Sequence, residues 1–291
     1  MVKVSNIVSF LTATLAFESN AQVADTSANL AENQGLTSRI IGGTDANAAN
    51  YSYIAHIRNN DIDLTCTGSL IAPAVVITAA HCVKNFVGSS SGSGKNLSIS
   101  LGSIEPPPSG GKTFTASKVV VNPDYNSDTH ENDLALILLS ECASKSLAVP
   151  IDIETKPLSD PNDIYFVAGF GRISVSNNEL ASTLQELPVI PGSTAVCNAA
   201  FSSIINPKTN FCVAQTLDKT TCFGDSGGPI VYSDYSKLLG VESTLAYSNG
   251  NFCATKNSAA LYMLLSGYWE SFISKHVYCT GPSCDYANVC D

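Results

Sequence analysis

One serine lies in a segment that is suited to exposing its hydroxyl. The segment reads Cys222-Phe223-Gly224-Asp225-Ser226-Gly227-Gly228-Pro229. Three glycines and a proline disfavour a helix or a central strand, and they favour a tight loop that aims backbone N–H groups at one point. His81 lies far upstream in Thr78-Ala79-Ala80-His81-Cys82, and Asp133 lies between them in Asn132-Asp133-Leu134-Ala135-Leu136. A base, an orienting carboxylate and a nucleophile together predict covalent acyl-transfer chemistry.

Each of these residues has a plainer interpretation when it is taken alone. His81 could be a core histidine beside a disulfide, Asp133 a turn residue, and Gly227-Gly228-Pro229 an ordinary turn before a strand. The combination favours the catalytic interpretation. His130 is a rival imidazole, and the run from 130 to 133 could suggest a metal cluster. It offers few oxygen ligands at useful spacing, so we expect a solvated loop and no metal site.

Composition sets the class of protein. The chain has 291 residues, of which 44% are hydrophobic and 14% charged, which excludes a disordered chain and allows a large core. The formal net charge of -10 argues against nucleic acid or an anionic membrane as a partner.

The amino terminus has the pattern of a secretory signal. Lys3 precedes an apolar stretch from Val4 to Phe17, and small residues end at Ala21. The stretch is too short and too interrupted to span a bilayer, and no later segment is long and apolar enough to do so. We therefore expect a signal peptide over residues 1–21, a polar propeptide over 22–39, and a soluble, secreted protein.

Ten cysteines fit export into an oxidising compartment. They are scattered without paired C-x-x-C units, which disfavours a zinc site. Asn50-Tyr51-Ser52 and Asn96-Leu97-Ser98 match the pattern of glycosylation acceptors, so we expect a glycoprotein.

Short β-type runs separated by turn residues fill the chain from residue 40 onward. Many short strands with frequent turns predict an all-β barrel or sandwich. The best helix candidate extends from about Met263 to His276, and a short tail of residues 277–291 follows. The runs are Leu70-Ile71, Val75–Thr78, Leu97–Leu101, Lys118–Val121, Ala135–Leu139, Ile164–Ala168, Pro229–Tyr232 and Leu238–Val241.

Five motifs over residues 40–276 resemble the trypsin/chymotrypsin-type serine proteases. Besides the serine, histidine and aspartate segments they are Ile40-Ile41-Gly42-Gly43 and Val167-Ala168-Gly169-Phe170-Gly171. Their order and spacing make the resemblance specific. It implies two six-stranded antiparallel β-barrels side by side, a catalytic cleft between them, a C-terminal helix and secretion as a zymogen.

The resemblance also implies a role for each matching residue. Ser226 would be the nucleophile, His81 the general base, and Asp133 the group that fixes the imidazole. Gly224 and Ser226 would supply the oxyanion-hole N–H groups. No cofactor is implied, and the substrates would be proteins or peptides.

Activation is expected at the Arg39–Ile40 bond. In the family, the ammonium that such a cut frees enters the protein and pairs with the carboxylate at the position of Asp225. We expect another protease to make this cut, and we expect the protein to be a monomer.

The resemblance places the substrate pocket at Thr220, Thr221, Ser243, Leu245 and Ala260. Thr220 lies six residues before the nucleophile, where family members that cut after Lys or Arg usually carry an aspartate. Leu245 and Ala260 would narrow the pocket. We therefore expect a small or medium apolar side chain before the scissile bond, with Lys and Arg disfavoured by the missing counter-charge.

Three disulfides follow from the resemblance: Cys66–Cys82, Cys197–Cys212 and Cys222–Cys253. The pairing of the remaining cysteines stays open, although Cys142 with a tail cysteine is a reasonable guess. The remaining set is Cys142, Cys279, Cys284 and Cys290.

Two other functions remain to be weighed. Some relatives keep this fold without its chemistry and act as secreted binding or inhibitory proteins, and the unusual pocket wall at Thr244-Leu245 favours that alternative. The filled triad positions disfavour it. A lipase or other α/β hydrolase would need a strand-to-helix serine elbow and the order Ser, Asp, His, and this chain has neither.

Overall fold

The computed structural model describes residues 40–87, 96–157, 163–174, 178–201, 206–216, 219–246, 253 and 259–277. The predicted signal peptide, the propeptide with Arg39, and the tail cysteines lie outside these ranges. None of the helices in the described ranges has the length and apolar character needed to cross a membrane.

The first half of the chain forms a closed antiparallel barrel. After a short β1 (Thr44–Asp45), six strands join in the order β2-β3-β4-β7-β6-β5. β4 and β7 are buried along their whole lengths, which explains why their sequences are nearly unbroken apolar runs. The six strands are β2 (Ile54–Asn59), β3 (Leu64–Ala72), β4 (Val75–Thr78), β5 (Leu97–Leu101), β6 (Lys112–Val121) and β7 (Ala135–Leu139).

The second half forms a seven-stranded antiparallel sheet in the order β1-β9-β8-β11-β12-β13-β10. The all-β fold and the first barrel are confirmed. The second sheet has seven strands rather than six because Thr44 and Asp45 pair with β9. An isolated bridge between Pro191 and Val213 links the two ends of the sheet. The strands are β8 (Tyr165–Gly169), β9 (Gln185–Val189), β10 (Asn210–Ala214), β11 (Pro229–Tyr232), β12 (Leu238–Ala246) and β13 (Ala259–Leu264).

Two hydrophobic clusters hold these elements. The larger one includes Ile57 and Ile77 of the first barrel, and the smaller one includes Ile40 and Tyr165 of the second sheet. All four side chains are essentially inaccessible to solvent, and burial of such a side chain contributes about 1.5–3 kcal/mol. The end of β4 and the start of β7 are therefore firmly placed, and both lead into candidate site residues.

The helices are short. They are α1 (Ala80–Val83), α2 (Thr194–Phe201), α3 (Leu265–Tyr268) and α4 (Ser274–Val277), with a π-helical turn at Trp269–Ile273 between the last two. The predicted start of the last helix at about Met263 is wrong by two residues. Met263 remains in β13 because it pairs with Asn210 on one side and Val241 on the other.

Candidate active site

The imidazole of His81 is fixed to the wall of the first barrel. His81 lies in α1, which follows directly after β4. Its neighbour Cys82 is joined to Cys66 of β3 by a disulfide, which links α1 covalently to the sheet. The His81 side chain keeps 18% of its surface exposed, which leaves it reachable from outside.

Asp133 lies two residues before β7 and is completely buried. Its Oδ1 accepts a hydrogen bond from the His81 backbone N–H at 2.9 Å, and its Oδ2 lies 2.7 Å from His81 Nδ1. The Ser243 hydroxyl donates to the same Oδ2 at 2.7 Å. One backbone bond and one ring bond from the same residue fix both the position and the orientation of the imidazole.

The hydrogen-bond donors keep Asp133 ionised. Burial alone would raise the pKa of this carboxyl, but the interaction with His81 and the hydrogen bonds from His130, His81 and Ser243 together lower the pKa below its usual range. An ionised Asp133 can only accept a hydrogen bond, so the proton of this contact is carried by His81 Nδ1. The other ring nitrogen, Nε2, is then the one available to act as a base.

His130 keeps 34% of its side chain exposed in a loop, as expected, but it also contacts the buried carboxylate of Asp133. Its Nδ1 lies 3.3 Å from Asp133 Oδ2, and its ring centroid lies 5.4 Å from that of His81 in an edge-on arrangement. A left-handed backbone, with φ of 59° at His130 and 55° at Asn132, turns the side chain inward. The short sequence separation between His130 and Asp133 was the one signal that could have predicted their contact. Both imidazoles, of His81 and His130, lie near Asp133 Oδ2.

The loop that carries Ser226 depends on its glycines. Gly224 and Gly227 have φ of 104° and 81°, a left-handed conformation that favours glycine. A Cβ at Gly227 would lie only 2.1 Å from Thr78 Oγ1. The loop is fastened to both halves of the molecule, because Thr67 N–H donates to the Ser226 carbonyl at 2.9 Å and Gly227 N–H donates to the Glu242 carbonyl at 2.8 Å.

The structure brings the Ser226 loop next to His81. Cys82 Sγ lies 3.7 Å from His81 Nε2 and 3.8 Å from the Ser226 carbonyl oxygen, so both residues flank one sulfur. Within the described part of the chain the Ser226 hydroxyl forms no hydrogen bond to the imidazole. Such contacts are often long before substrate binds. The N–H groups of Gly224 and Ser226 likewise donate to no acceptor in the described residues, which leaves both N–H groups available.

Asp225 is a second completely buried acid. Its carboxylate accepts hydrogen bonds from the N–H groups of Gly171 and Cys222, each at 2.8 Å. Burial raises the pKa of Asp225, and these two backbone bonds oppose the rise only in part. No described lysine, arginine or histidine forms an ion pair with it. Gly169 must lack a side chain, since a Cβ there would lie 2.1 Å from an Asp225 oxygen.

The predicted activation residue Ile40 is buried in the smaller hydrophobic cluster, and the next residue, Ile41, bridges to Thr220. The amino-terminal segment therefore enters the same half of the molecule as the Ser226 loop. Arg39, on the other side of the predicted cleavage bond, lies outside the described residues.

The predicted pocket residues lie in one region of the second sheet. Thr220, Thr221, Ser243 and Ala260 are buried, and Leu245 pairs directly with Ala260 across β12 and β13. Thr221 accepts from Gln215 Nε2 at 2.8 Å and also lines a cavity of about 310 Å³. The Ser243 hydroxyl points to Asp133, which links β12 to the His81 pair in a way that sequence analysis did not identify.

Sequence analysis missed a third buried acid, Glu242. Its Oε1 accepts a hydrogen bond from the Thr221 hydroxyl at 2.6 Å. Burial raises the pKa of Glu242 well above its ordinary value, and repulsion from Asp225 raises it further, while the bond from Thr221 opposes the shift. The signal was a charged residue within the otherwise apolar start of β12, directly before Ser243.

The structure contains the three disulfides that the resemblance implies. They join Cys66 to Cys82, Cys197 to Cys212, and Cys222 to Cys253. The third fixes the start of the Ser226 loop. Cys142 is also disulfide-bonded.

Comparison with known proteins agrees with this geometry. The family model described as Trypsin matches residues 40–270. Trypsin-3 of Salmo salar is 30% identical over 81% of this chain and 92% of its own length. Cathepsin G of Mus musculus is 31% identical over 73% and 78%, and Chymotrypsin-C of Bos taurus is 27% identical over 80% and 87%. The chain therefore belongs to the trypsin family and is a serine endopeptidase.

Proposed function

We propose that His81, Asp133 and Ser226 form the catalytic triad. The observation that carries this proposal is the 2.7 Å contact between His81 Nδ1 and the buried Asp133, with His81 Nε2 and the Ser226 carbonyl oxygen both within 3.8 Å of Cys82 Sγ. Ser226 attacks the scissile carbonyl while Nε2 of His81 takes its proton, and the same proton later protonates the leaving amine. Asp133 holds the ring and stabilises the imidazolium.

We place the oxyanion hole at the N–H groups of Gly224 and Ser226. Both are free of protein acceptors in the described chain, and the positive φ at Gly224 permits the bend that lets two nearby N–H groups converge. Loss of one such donor typically lowers the rate by about 10²–10³-fold.

Activation, in this proposal, follows secretion and needs a cut after Arg39 by another protease. The support is the uncompensated Asp225 and the burial of Ile40 nearby. A new ammonium at Ile40 would pair with Asp225, and the attraction would offset the effect of burial and lower the pKa of this carboxyl. The expected signal over residues 1–21 and the acceptors Asn50 and Asn96 belong to this picture of an exported, glycosylated monomer.

We propose cleavage after small or medium apolar residues, with Lys and Arg disfavoured. Neither Thr220 nor Thr221 supplies a charge, and Leu245 beside Ala260 adds bulk to the pocket wall. Burial raises the pKa of the added acid Glu242 and so favours its neutral form, which is compatible with this preference.

A serine-directed fluorophosphonate tests the catalytic proposal. Immobilised trypsin should cut after Arg39 and then be removed, and the processed protein should label at Ser226, as located by peptide mass. The matched S226A variant should not label. A processed, folded protein that fails to label would contradict the proposal and favour a non-catalytic binding protein.

A further inference from the structure

Glu242 is a buried acid that the proposed mechanism does not use. It is 3% exposed and lies on β12 directly before Ser243, whose hydroxyl binds Asp133. Its backbone also holds the nucleophile loop, because its N–H donates to the Gly228 carbonyl at 2.9 Å and its carbonyl accepts from Gly227 N–H at 2.8 Å. The side chain thus belongs to the strand that joins the triad to the proposed pocket.

The carboxyl contacts Thr221, one of the predicted pocket residues. Thr221 donates its hydroxyl to Oε1 at 2.6 Å. Tyr262 lies opposite Glu242 in the pairing of β12 with β13, so the two side chains share a face of the sheet. The Tyr262 hydroxyl is buried and has no hydrogen-bond partner in the described residues. Two polar groups therefore meet at Thr221 with unused bonding capacity.

No described lysine, arginine or histidine compensates this carboxyl. Among the described residues, Glu242 takes part in no ion pair, and the titratable groups that face it are Asp225 and Tyr262. Asp225 repels a negative Glu242, and burial holds Tyr262 neutral by raising its pKa. A buried carboxylate without a partner is costly, but the same carboxylate with a cation is not. A substrate side chain can bring that cation.

We infer that Glu242 makes the specificity of the pocket conditional: with its proton it leaves the pocket neutral for apolar side chains, and without its proton it is the counter-charge for a lysine or arginine before the scissile bond. This inference rests on the proposed function and adds basic residues as a second substrate class. Binding of the cation releases one proton from Glu242 to solvent. The sequence pattern did not indicate this role of Glu242, because the charge comes from β12 rather than from position 220.

The experiment uses processed protein and matched peptides that differ only in Leu or Lys before the cut. The ratio of kcat/KM for Lys to that for Leu should rise with pH, by up to about tenfold per pH unit while one proton is released. In E242Q, which keeps size and hydrogen bonding, the ratio should be flat with pH and lower by about 30-fold or more at high pH.

Labelling of Ser226 in the wild-type protein tests the proposed catalytic function, whereas the Lys-to-Leu ratio tests the role of Glu242. The peptide mass after trypsin treatment and the melting temperature show whether E242Q is processed and folded. A wild-type protein that labels and cleaves the Leu peptide, but whose Lys-to-Leu ratio is constant from pH 5.5 to 9, would overturn the inference and leave the proposed function intact. If E242Q does not fold, the wild-type pH profile alone decides.

Discussion

Asp133 of the first barrel and Asp225 beside the second sheet are equally buried, yet their pKa values move in opposite directions. Asp133 accepts from a backbone N–H, a hydroxyl and an imidazole, with a second imidazole at 3.3 Å. Within the described ranges, Asp225 accepts only from two backbone N–H groups. Burial penalises charge in both, so the partners decide the outcome.

The two halves of the site therefore differ in whether their buried acids already have a charge partner. The His81–Asp133 pair already has its charge partner and its geometry. Among the residues that the structure describes, Asp225 and Glu242 have no cationic partner. Each is expected to receive one, Asp225 from the new amino terminus at Ile40 and Glu242 from a substrate side chain. Changes at Asp133 should therefore affect chemistry in every form of the enzyme, whereas changes at Asp225 should depend on processing and on pH.

The largest effect is expected for Asp133→Asn in processed protein. The amide cannot hold His81 in the tautomer that leaves Nε2 free to accept a proton. Hydrolysis should fall by about 10⁴-fold, the magnitude known for the equivalent substitution in the trypsin family and not one obtained from this structure. The Ser226 labelling rate and the melting temperature should be measured together. A folded variant with the activity of the wild-type protein would contradict the role given to Asp133.

A second prediction concerns the uncut protein, kept intact by R39Q. The pKa of Asp225 is raised in the folded state, so the fold binds more protons than the unfolded chain above about pH 4, and stability should fall as pH rises. D225N should remove part of this loss, on the order of 2–4 kcal/mol between pH 4 and 8. Urea unfolding across pH measures it.

The control for that experiment is Glu242, whose pKa is raised in the same direction, by burial and by repulsion from Asp225. E242Q and the double variant should be measured beside D225N, since the two acids need not contribute additively. In each uncut single variant one buried acid remains, so the free energy of unfolding should still fall between pH 4 and 8. A rise over this range in both D225N and E242Q would contradict the assignment of the two acids as uncompensated.

Ser243→Ala gives a smaller effect that sharpens the comparison. It removes one donor from Asp133 and leaves the His81 bonds in place. A hydrogen bond to a charged group contributes about 1.5–3 kcal/mol, so the rate should fall by roughly 10- to 100-fold. S243T, which keeps the hydroxyl, is the matched control and should lose less. Equal rates for S243A and wild type would remove Ser243 from the support of Asp133.

His130 should have the smallest effect. Its bond to Asp133 is long at 3.3 Å and its side chain is 34% exposed, so solvent screens the interaction. We expect H130A to lower kcat/KM by only about two- to fivefold, with H130Q in between because its amide can still donate. A loss as large as that of D133N would mean that His130 is part of the essential constellation.

Sequence patterns predicted most where burial alone decides the structure. Val75–Thr78 and Ala135–Leu139 are strands with the predicted bounds, because a continuous apolar run in a closed barrel has one stable outcome. The side of β12 facing the triad was not predictable in this way. Ser243 reaches Asp133 across 110 positions of sequence, and Glu242 matters only because Thr221 folds against it. Such contacts depend on packing between distant elements, which no local pattern encodes.

The same distinction explains the errors. The contact of His130 with Asp133 was not predicted, because the few oxygen ligands in this segment indicated only a solvated loop. The final helix was expected two residues early, but pairing with the flanking strands holds Met263 and Leu264 in β13. In both cases tertiary contacts outweighed local preference.

The most direct test of the central claim is the rate at which a fluorophosphonate labels Ser226 before and after cleavage at Arg39, at one pH and with trypsin removed. If the His81–Asp133 pair is complete while Asp225 waits for the Ile40 ammonium, labelling should increase by at least about 10²-fold on cleavage, the size of losing an oxyanion-hole donor. R39Q treated in parallel should stay slow. Equal labelling of cut and uncut protein would contradict the account.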